Sequence, residues 1–216
     1  MAVTPQTIKA ALDHIAGDTA YIENRLNEAD ARLGDGDTGT MLARMIGVMT
    51  QVDVDPAETV GAYLGRLAKA SARSTGSSFG TLIIAALMAV SRATANADRI
   101  EASETASMFS IARKEMTSRG KTELGAKTVI DSLARIEAAT DGVVSTQEAI
   151  TRIGQAADAA LDAFRDKPCR VGRARIFGDV SIGNDDPGML AVKLIIGTMF
   201  DDDAATDRAV TSNMPR

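Results

Sequence analysis

The sequence predicts an all-α fold. Aromatic residues make up 3% of the 216 residues and Trp is absent, so Ala, Leu, Ile, Val and ten Met supply the apolar content. Ala and Met favour helices, whereas strands favour aromatic and β-branched residues. Apolar residues recur at helical spacing along most of the chain, and no segment alternates convincingly between apolar and polar residues. We therefore expect one helical domain, residues 1–216, with a sizeable core.

The N-terminal half contains four predicted helices. Apolar residues between Ile8 and Leu26 follow helical spacing, with a local interruption at Gly17. A methionine-rich stripe follows the Gly/Asp-rich segment, and Pro56 is expected to open the third helix because proline suits a first helical turn. The predicted helices cover residues 5–28, 40–52, 56–74 and 81–90.

The C-terminal half contains four more predicted helices. They cover residues 103–117, 128–138, 146–164 and 189–200, and the last is apolar enough to be buried. Residues 166–188 are predicted to be a loop, and a loop of this length inside a compact domain is usually functional or disordered. Residues 201–216 begin with three aspartates and are predicted to be an acidic, flexible tail.

Charge and single residues exclude several classes of protein. The net charge of −5 argues against nucleic acid as a partner. Cys169 is the only cysteine, so no intramolecular disulfide can form, and His14, the only histidine, is interpreted as a helix residue rather than a metal ligand. No signal peptide is evident, and the apolar run Leu82–Val90 is far shorter than the roughly 20 residues that span a bilayer. We expect a cytoplasmic protein that is not bound to a membrane.

Three aspartates lie close together in sequence, and two of them are separated by a single glycine. Asp30, Asp35 and Asp37 could converge if the glycines let the chain turn tightly. Crowded carboxylates repel one another unless one is protonated or a cation binds, and a hard divalent cation such as Mg²⁺ prefers oxygen ligands. The same spacing also fits a solvated acidic loop, so spacing alone leaves both interpretations open.

Two further segments could meet an anion. Residues 74–80 form a Ser/Gly-rich cluster before an apolar helix, which indicates either a helix cap or a phosphate site at the positive end of the helix dipole. Arg173 and Arg175 lie among glycines in the long loop, where they could bind phosphate or remain solvated.

Five short motifs occur along the chain in one order. They are Asp30 with G-D-G-D-T-G at 34–39, G-S-S at 76–78, G-A-K-T-V-I-D at 125–131, G-R-A at 172–174 and S-I-G-N-D-D-P-G at 181–188. In this order and spacing, they make the chain resemble the nucleotide-binding (L) subunit of dihydroxyacetone kinases, which is also found as the C-terminal domain of single-chain kinases. The resemblance extends from about residue 5 to residue 200.

The resemblance implies a barrel of about eight antiparallel amphipathic helices with a nucleotide site at one rim. It implies that Asp30, Asp35 and Asp37 hold two Mg²⁺ ions that bridge the phosphates of ADP or ATP, and that these aspartates and Arg173 are the catalytic residues. The implied nucleotide-binding residues are Thr38, Gly39, Ser77, Ser78 and Arg173 at the phosphates, Thr40 and Met41 beside them, Gly120 and Val129 at the adenine, and Asp186, Pro187 and Gly188 closing over the nucleotide.

The chain departs from the family pattern at two positions. Many members have His in place of Thr38 and Asn in place of Met41. Because Met cannot donate a strong hydrogen bond, a polar contact made from that position is lost or replaced. The three aspartates are all present.

The leading functional hypothesis is phosphoryl transfer from an Mg-bound nucleotide to a small ketose, dihydroxyacetone or a close relative. In the family that the chain resembles, the ketose binds on a separate K subunit, so this chain would be half of an enzyme. The donor would be ATP, or bound ADP rephosphorylated by a phosphotransferase-system protein. The alternatives are a kinase subunit for erythrulose, a nucleotide-binding regulator that docks on a transcription factor, and a helical interaction module. Homodimer formation is left open.

Overall fold

The computed structural model describes residues 2–200, with the backbone alone for Arg173 and Ala174. The expected acidic tail, 201–216, lies outside the described residues. Residues 2–200 form nine α-helices, two 3-10 segments and no strand beyond one isolated bridge between Val3 and Ile100, which confirms the all-α prediction. The helices are α1 Pro5–Gly17, α2 Thr19–Leu33, α3 Thr38–Thr50, α4 Val60–Ser71, α5 Ser78–Ala93, α6 Thr105–Gly120, α7 Val129–Thr140, α8 Thr146–Arg165 and α9 Pro187–Phe200; the 3-10 segments are Ala102–Glu104 and Arg173–Ser181.

Helices α2 to α9 form a closed series of neighbours. Each packs on the next along the chain, and α9 returns to pack on α2. Helix α1 packs mainly on α3 and α9. Side chains from several helices meet in one core, where Leu26, Met45, Tyr63 and Met189 are each 0% exposed. This order of neighbours agrees with the barrel of about eight helices that the resemblance implies.

From α2 onward, every second connection between consecutive helices lies at the same end of the fold. Contacting helices that short loops join run antiparallel. The connections 34–37, 72–77, 121–128 and 166–186 therefore gather at one end, which we call the site end. At the opposite end, backbone hydrogen bonds from Val60 N to Ala97 O (2.8 Å) and from Gly61 N to Thr94 O (3.1 Å) join the start of α4 to the end of α5.

Several helix boundaries in the N-terminal half differ from the predicted ones, and two of the differences have a clear physical cause. The predicted helix 5–28 is two helices, because the chain breaks at Asp18 between α1 and α2, and α2 then continues to Leu33. Asp30 consequently lies inside α2. Helix α4 begins at Val60 rather than at Pro56, because the Thr59 hydroxyl accepts a hydrogen bond from Ala62 N at 3.2 Å and caps the helix.

The predicted loop 166–188 is more ordered than expected. It contains the 3-10 segment Arg173–Ser181, with a kink at Gly178, and its last two residues belong to the first turn of α9. No helix within residues 2–200 combines the length and the apolar character needed to cross a membrane.

Candidate functional site

The three aspartates of the Gly/Asp-rich segment come together at the site end. Asp30 lies in the last turn of α2 and is 7% exposed, whereas Asp35 and Asp37 are exposed in the loop before α3. One carboxylate oxygen from each residue lies within 4.8 Å of the other two. Three carboxylate oxygens at this separation suit a hard divalent cation, so the donor set fits Mg²⁺.

The local sequence around Asp30 holds its carboxylate in place. Its Oδ2 accepts hydrogen bonds from Asp37 N at 2.9 Å and Thr38 N at 3.1 Å, so the carboxylate also caps the start of α3. A Cβ at Gly34 would collide with Oδ1 of Asp30, and Gly36 has a φ of +76°, which other residues rarely adopt. A side chain at either glycine would therefore disturb the loop on which the three carboxylates converge.

The start of α3 is bound to α2 by two side chains that the sequence analysis did not identify. Asn27 Oδ1 accepts hydrogen bonds from Gly39 N (2.8 Å) and Thr40 N (3.1 Å). The Thr40 hydroxyl donates to Glu23 Oε1 at 2.7 Å and accepts from Asn27 Nδ2 at 2.9 Å. These side chains find their hydrogen-bond partners inside the protein and so join the two helices. The spacing of Glu23, Asn27 and Asp30 on one face of α2 is the signal that could have identified this role.

Met41 lies in the core. It is 6% exposed and belongs to the main apolar cluster with Leu42 and Met45. An apolar side chain is expected at such a buried position, where contact with a nucleotide is not expected. The burial of Met41 and the internal hydrogen bonds of Thr40 do not favour their assignment to nucleotide binding, which stays a prediction.

The Ser/Gly-rich segment caps helix α5. Ser77 Oγ accepts a hydrogen bond from Gly80 N at 2.9 Å, and Thr75 Oγ1 accepts one from Ser77 N at 3.1 Å. Ser78 is the first residue of α5 and is exposed at the positive end of the helix dipole. The capping interpretation is confirmed, and phosphate contact by Ser77 and Ser78 stays a prediction.

Apolar residues from four helices meet near the predicted adenine pocket. Gly120 ends α6, and a Cβ added there would lie 3.5 Å from the side chain of Leu82 on α5. Leu82 packs against the cluster that contains Val129, the first residue of α7. A Cβ at Gly188 would lie 3.5 Å from Cβ of Val129. The structure therefore brings Gly120, Val129 and Gly188 to one apolar area.

Asp186 precedes α9 and caps it. Its Oδ1 accepts a hydrogen bond from Met189 N at 2.9 Å. Desolvation by burial raises the pKa of Asp186 to about 6, despite the opposing effect of hydrogen bonds from the backbone of Met189 and Gly188. Asp186, Pro187 and Gly188 form a helix cap and a first turn, which corrects their interpretation as a loop. Arg173 begins the 3-10 segment, and the structure describes only its backbone.

Lys127 is a buried residue that the sequence analysis did not single out. It is 1% exposed, and its ammonium Nζ donates to the carbonyl oxygens of Arg165, Lys167 and Ser181 at 2.8–2.9 Å. Its place in the motif at 125–131 does not show that it is buried, since its three acceptors are backbone groups at least 38 residues away.

The DAK2 domain matches residues 32–201 of the chain. The chain belongs to the DAK2 domain family. It is 27% identical over 179 residues to the ADP-binding subunit DhaL of a PTS-dependent dihydroxyacetone kinase from Lactococcus lactis subsp. lactis, covering 82% of this chain and 86% of that protein. It is 26% identical over 178 residues to the ADP-binding subunit DhaL of a PEP-dependent dihydroxyacetone kinase from Escherichia coli, and this similarity covers 79% of this chain and 84% of that protein.

Longer proteins also contain a region similar to this DAK2 domain chain. An L-erythrulose kinase from Pectobacterium atrosepticum is 28% identical over 180 residues, which cover 79% of this chain and 30% of that enzyme. The crystal structure of the dihydroxyacetone kinase from C. freundii in complex with AMP-PNP and Mg²⁺ has a TM-score of 0.70, with 17% sequence identity over 92% of this chain and 34% of that one. The chain thus spans about a third of these longer proteins, and the second similarity shows the fold.

Proposed function

We propose that this chain is the nucleotide-binding subunit of a dihydroxyacetone-type kinase. The observation that carries the proposal is the convergence of Asp30, Asp35 and Asp37 at the site end. Three converging acidic oxygens, at the same end of the fold as an exposed helix N-terminus and an apolar area, suit the metal, the phosphates and the base of a nucleotide. The similarity to two ADP-binding DhaL subunits supports the same function.

The residues of the chain would bind and orient the nucleotide. The three aspartates would hold two Mg²⁺ ions, which neutralise phosphate charge during phosphoryl transfer. The phosphates would be contacted by Thr38, Gly39, Ser77, Ser78 and Arg173. Gly120 and Val129 would line the adenine pocket, and Gly188 would close over the nucleotide. Catalysis of this kind depends mainly on positioning and charge neutralisation, so a rigid metal site serves it.

Thermal unfolding with Mg-ADP tests this proposal. We expect saturating Mg-ADP to stabilise the protein by about 2.7 kcal/mol at a hundredfold excess over its Kd, and Asp35→Ala to remove most of the effect. Asp98→Ala, which changes an exposed aspartate at the opposite end, should respond to Mg-ADP like the wild type. No stabilisation of the wild-type protein would refute nucleotide binding.

We further propose that a ketose-binding subunit docks at the site end. Four large apolar side chains between residues 176 and 182 are exposed there, among them Ile176 at 82% and Val180 at 64%. Exposed apolar groups of this kind mark interaction surfaces. The isolated chain with ATP should therefore leave dihydroxyacetone unphosphorylated, and addition of the ketose-binding subunit should restore activity.

A matched pair of variants tests the location of this docking surface. Ile176→Ser should weaken capture of the ketose-binding subunit, whereas Val144→Ser, which changes an 83% exposed side chain at the opposite end, should not. Equal capture by both variants would exclude residues 176–182 from the interface.

Two features of the reaction require separate assays. The similarity to an L-erythrulose kinase favours erythrulose as the second candidate acceptor, so both ketoses should be compared with the complete enzyme.

The two DhaL relatives belong to PTS- and PEP-dependent kinases, which favours rephosphorylation of bound ADP by a phosphotransferase-system protein over exchange with ATP. ADP that stays bound through gel filtration would support rephosphorylation by a phosphotransferase-system protein. Rapid exchange of bound ADP with ATP would support ATP as the donor.

A further inference from the structure

Lys127 connects two loops at the site end. Its ammonium donates to three carbonyl oxygens of the segment 165–181, at 2.9 Å to Arg165, 2.8 Å to Lys167 and 2.8 Å to Ser181. Arg165 is the last residue of α8 and Ser181 the last of the 3-10 segment. One side chain therefore joins the end of a helix, the following turn and the end of the 3-10 segment, which are otherwise separated along the chain.

Backbone hydrogen bonds support the same connection. Arg170 N donates to Ala126 O at 3.1 Å, and Gly183 N donates to Arg165 O at 2.9 Å. Within the segment, Cys169 N donates to Ser181 Oγ at 2.8 Å. Lys127 is thus the charged centre of a hydrogen-bonded junction between the α6–α7 loop and the segment 165–183.

The junction has an energetic cost that a surface lysine would not have. Burial lowers the pKa of Lys127, and the nearby charges of Cys169, Asp186 and Asp185 act in the opposite direction. Its backbone has a φ of +60°, a left-handed conformation that is unfavourable for a residue with a side chain. The three charge-assisted hydrogen bonds from the ammonium to the carbonyl oxygens offset both costs.

The position of the junction links the two parts of the proposed nucleotide site. On one side, Thr128 follows Lys127 and caps α7, so Val129 of the apolar area is two residues away. On the other side, the segment carries Arg173 and leads to Asp186, the cap of α9. Movement of the segment away from α7 would separate the adenine side from the phosphate side.

We propose that Lys127 is a positioning residue that fixes the segment 165–183 against the α6–α7 loop and so slows release of the bound nucleotide. This inference rests on the proposed function for its kinetic part. Lys127 acts through the three carbonyl oxygens and does not itself contact the nucleotide.

Release of a fluorescent ADP in the presence of Mg²⁺ tests the proposal. Lys127→Met removes the ammonium and keeps a side chain of similar reach, so we expect about tenfold faster release, an effect in the dissociation rate. Lys193→Met is the matched control, because Lys193 forms a surface ion pair with Asp158 at 2.8 Å and should leave release unchanged. Measurements belong well below the unfolding temperature of each variant, so that loss of overall stability does not affect the rate.

Hydrogen–deuterium exchange provides a readout that does not depend on nucleotide. Lys127→Met should speed exchange at Cys169, Arg170 and Gly183, whose amides form the junction, and leave the core helices α2 and α3 protected. A wild-type protein that does not bind Mg-ADP would refute the proposed function, while this exchange experiment would still decide whether Lys127 fixes the segment.

A second variant covers the case in which Lys127→Met does not fold. Lys127→Gln keeps an amide that can donate two hydrogen bonds, and we expect release about threefold faster than in the wild type. A folded variant with wild-type release and exchange would overturn the proposal. Loss of helical circular dichroism in both variants would also overturn it, because Lys127 would then be required for the whole fold.

Discussion

Asp186 illustrates how one residue combines a structural role with a shifted pKa. Its side chain caps α9, and burial raises its pKa from 3.8 to about 6. Because the pKa in the folded protein is higher than in the unfolded chain, the charged form is disfavoured on folding. The shift of about two units corresponds to a cost on the order of 3 kcal/mol above pH 6, which falls as the pH drops through 6 and is absent below 3.8.

Asp186→Asn should therefore change stability in a pH-dependent way. Asn keeps the oxygen that accepts the hydrogen bond from Met189 N and removes the charge. We expect a higher free energy of unfolding than the wild type at pH 8, with a gain of a few kcal/mol at most, and a smaller gain at pH 5. Urea unfolding at the two pH values measures the difference. An equal gain at both would show that the charge of Asp186 is not disfavoured in the fold.

Individual residues differ in how well the sequence predicts their position and contacts. The convergence of Asp30, Asp35 and Asp37 could be predicted because their spacing and the intervening glycines are local. The buried position of Met41 and the pairing of Thr40 with Glu23 depend on how α3 packs against α2. Partners that come from another helix cannot be read from the motif itself.

At the level of single helices, the N-terminal caps of α5 and α8 allow a structural role to be distinguished from a functional one. Ser77 caps α5 by accepting from Gly80 N at 2.9 Å, and Ser145 caps α8 by accepting from Glu148 N at 3.2 Å. Both are serines at the same position of a helix, but only Ser77 lies at the site end. The pair therefore offers a matched comparison.

Ser77→Ala and Ser145→Ala should each lower the free energy of unfolding by about 1 kcal/mol, because each leaves a helix N-terminus uncapped. Only Ser77→Ala should also weaken Mg-ADP binding, measured by calorimetry, if Ser77 contacts the phosphates. Equal Mg-ADP affinity in the two variants would restrict Ser77 to its capping role.

Helices were predictable from their periodicity, and their ends less so. Helices α7, α8 and α9 begin within two residues of the predicted positions because apolar spacing and capping residues coincide there. Helix α4 begins four residues after Pro56 because Asp55 and Glu58 form a turn first, in which Glu58 Oε1 accepts from Asp55 N at 2.8 Å. A proline fits either a turn or a first helical turn, so the side-chain bonds decide between them.

At the scale of the whole molecule, helix α9 closes the series of helices. It packs on α1, α2, α7 and α8, and Met189, Leu190 and Ala191 are at most 4% exposed. The helix that closes the fold is thus also the one whose first turn contributes Gly188 to the candidate site. Helix α9 therefore belongs both to the core and to the candidate site.

Leu190→Ala should lower the free energy of unfolding by about 2–5 kcal/mol, since it removes a buried side chain that contacts the core. Leu124→Ala, which truncates a 56% exposed leucine, should change it by about 0.5 kcal/mol or less. Urea unfolding of both variants provides the comparison. A small effect of Leu190→Ala would mean that α9 is not part of the cooperative unit.

The assembly of the site from four connections follows from the ring of helices, and the sequence could show it only through the order of the motifs. Residues 34–37, 72–77, 121–128 and 166–186 are far apart along the chain, and antiparallel packing brings them to one end. The long-range hydrogen bonds of Lys127 have no local signature, which is why this part of the site could not be predicted.

Gly34 gives a simple rule for sorting related sequences. A Cβ at this position would collide with Oδ1 of Asp30, the most buried of the three acidic residues. A related chain that keeps all three aspartates but carries a side chain at the position of Gly34 must displace the carboxylate of Asp30. Such a chain would look intact by its acidic residues and still place its three carboxylates differently, so a genome survey of candidate kinases should score this glycine together with the aspartates.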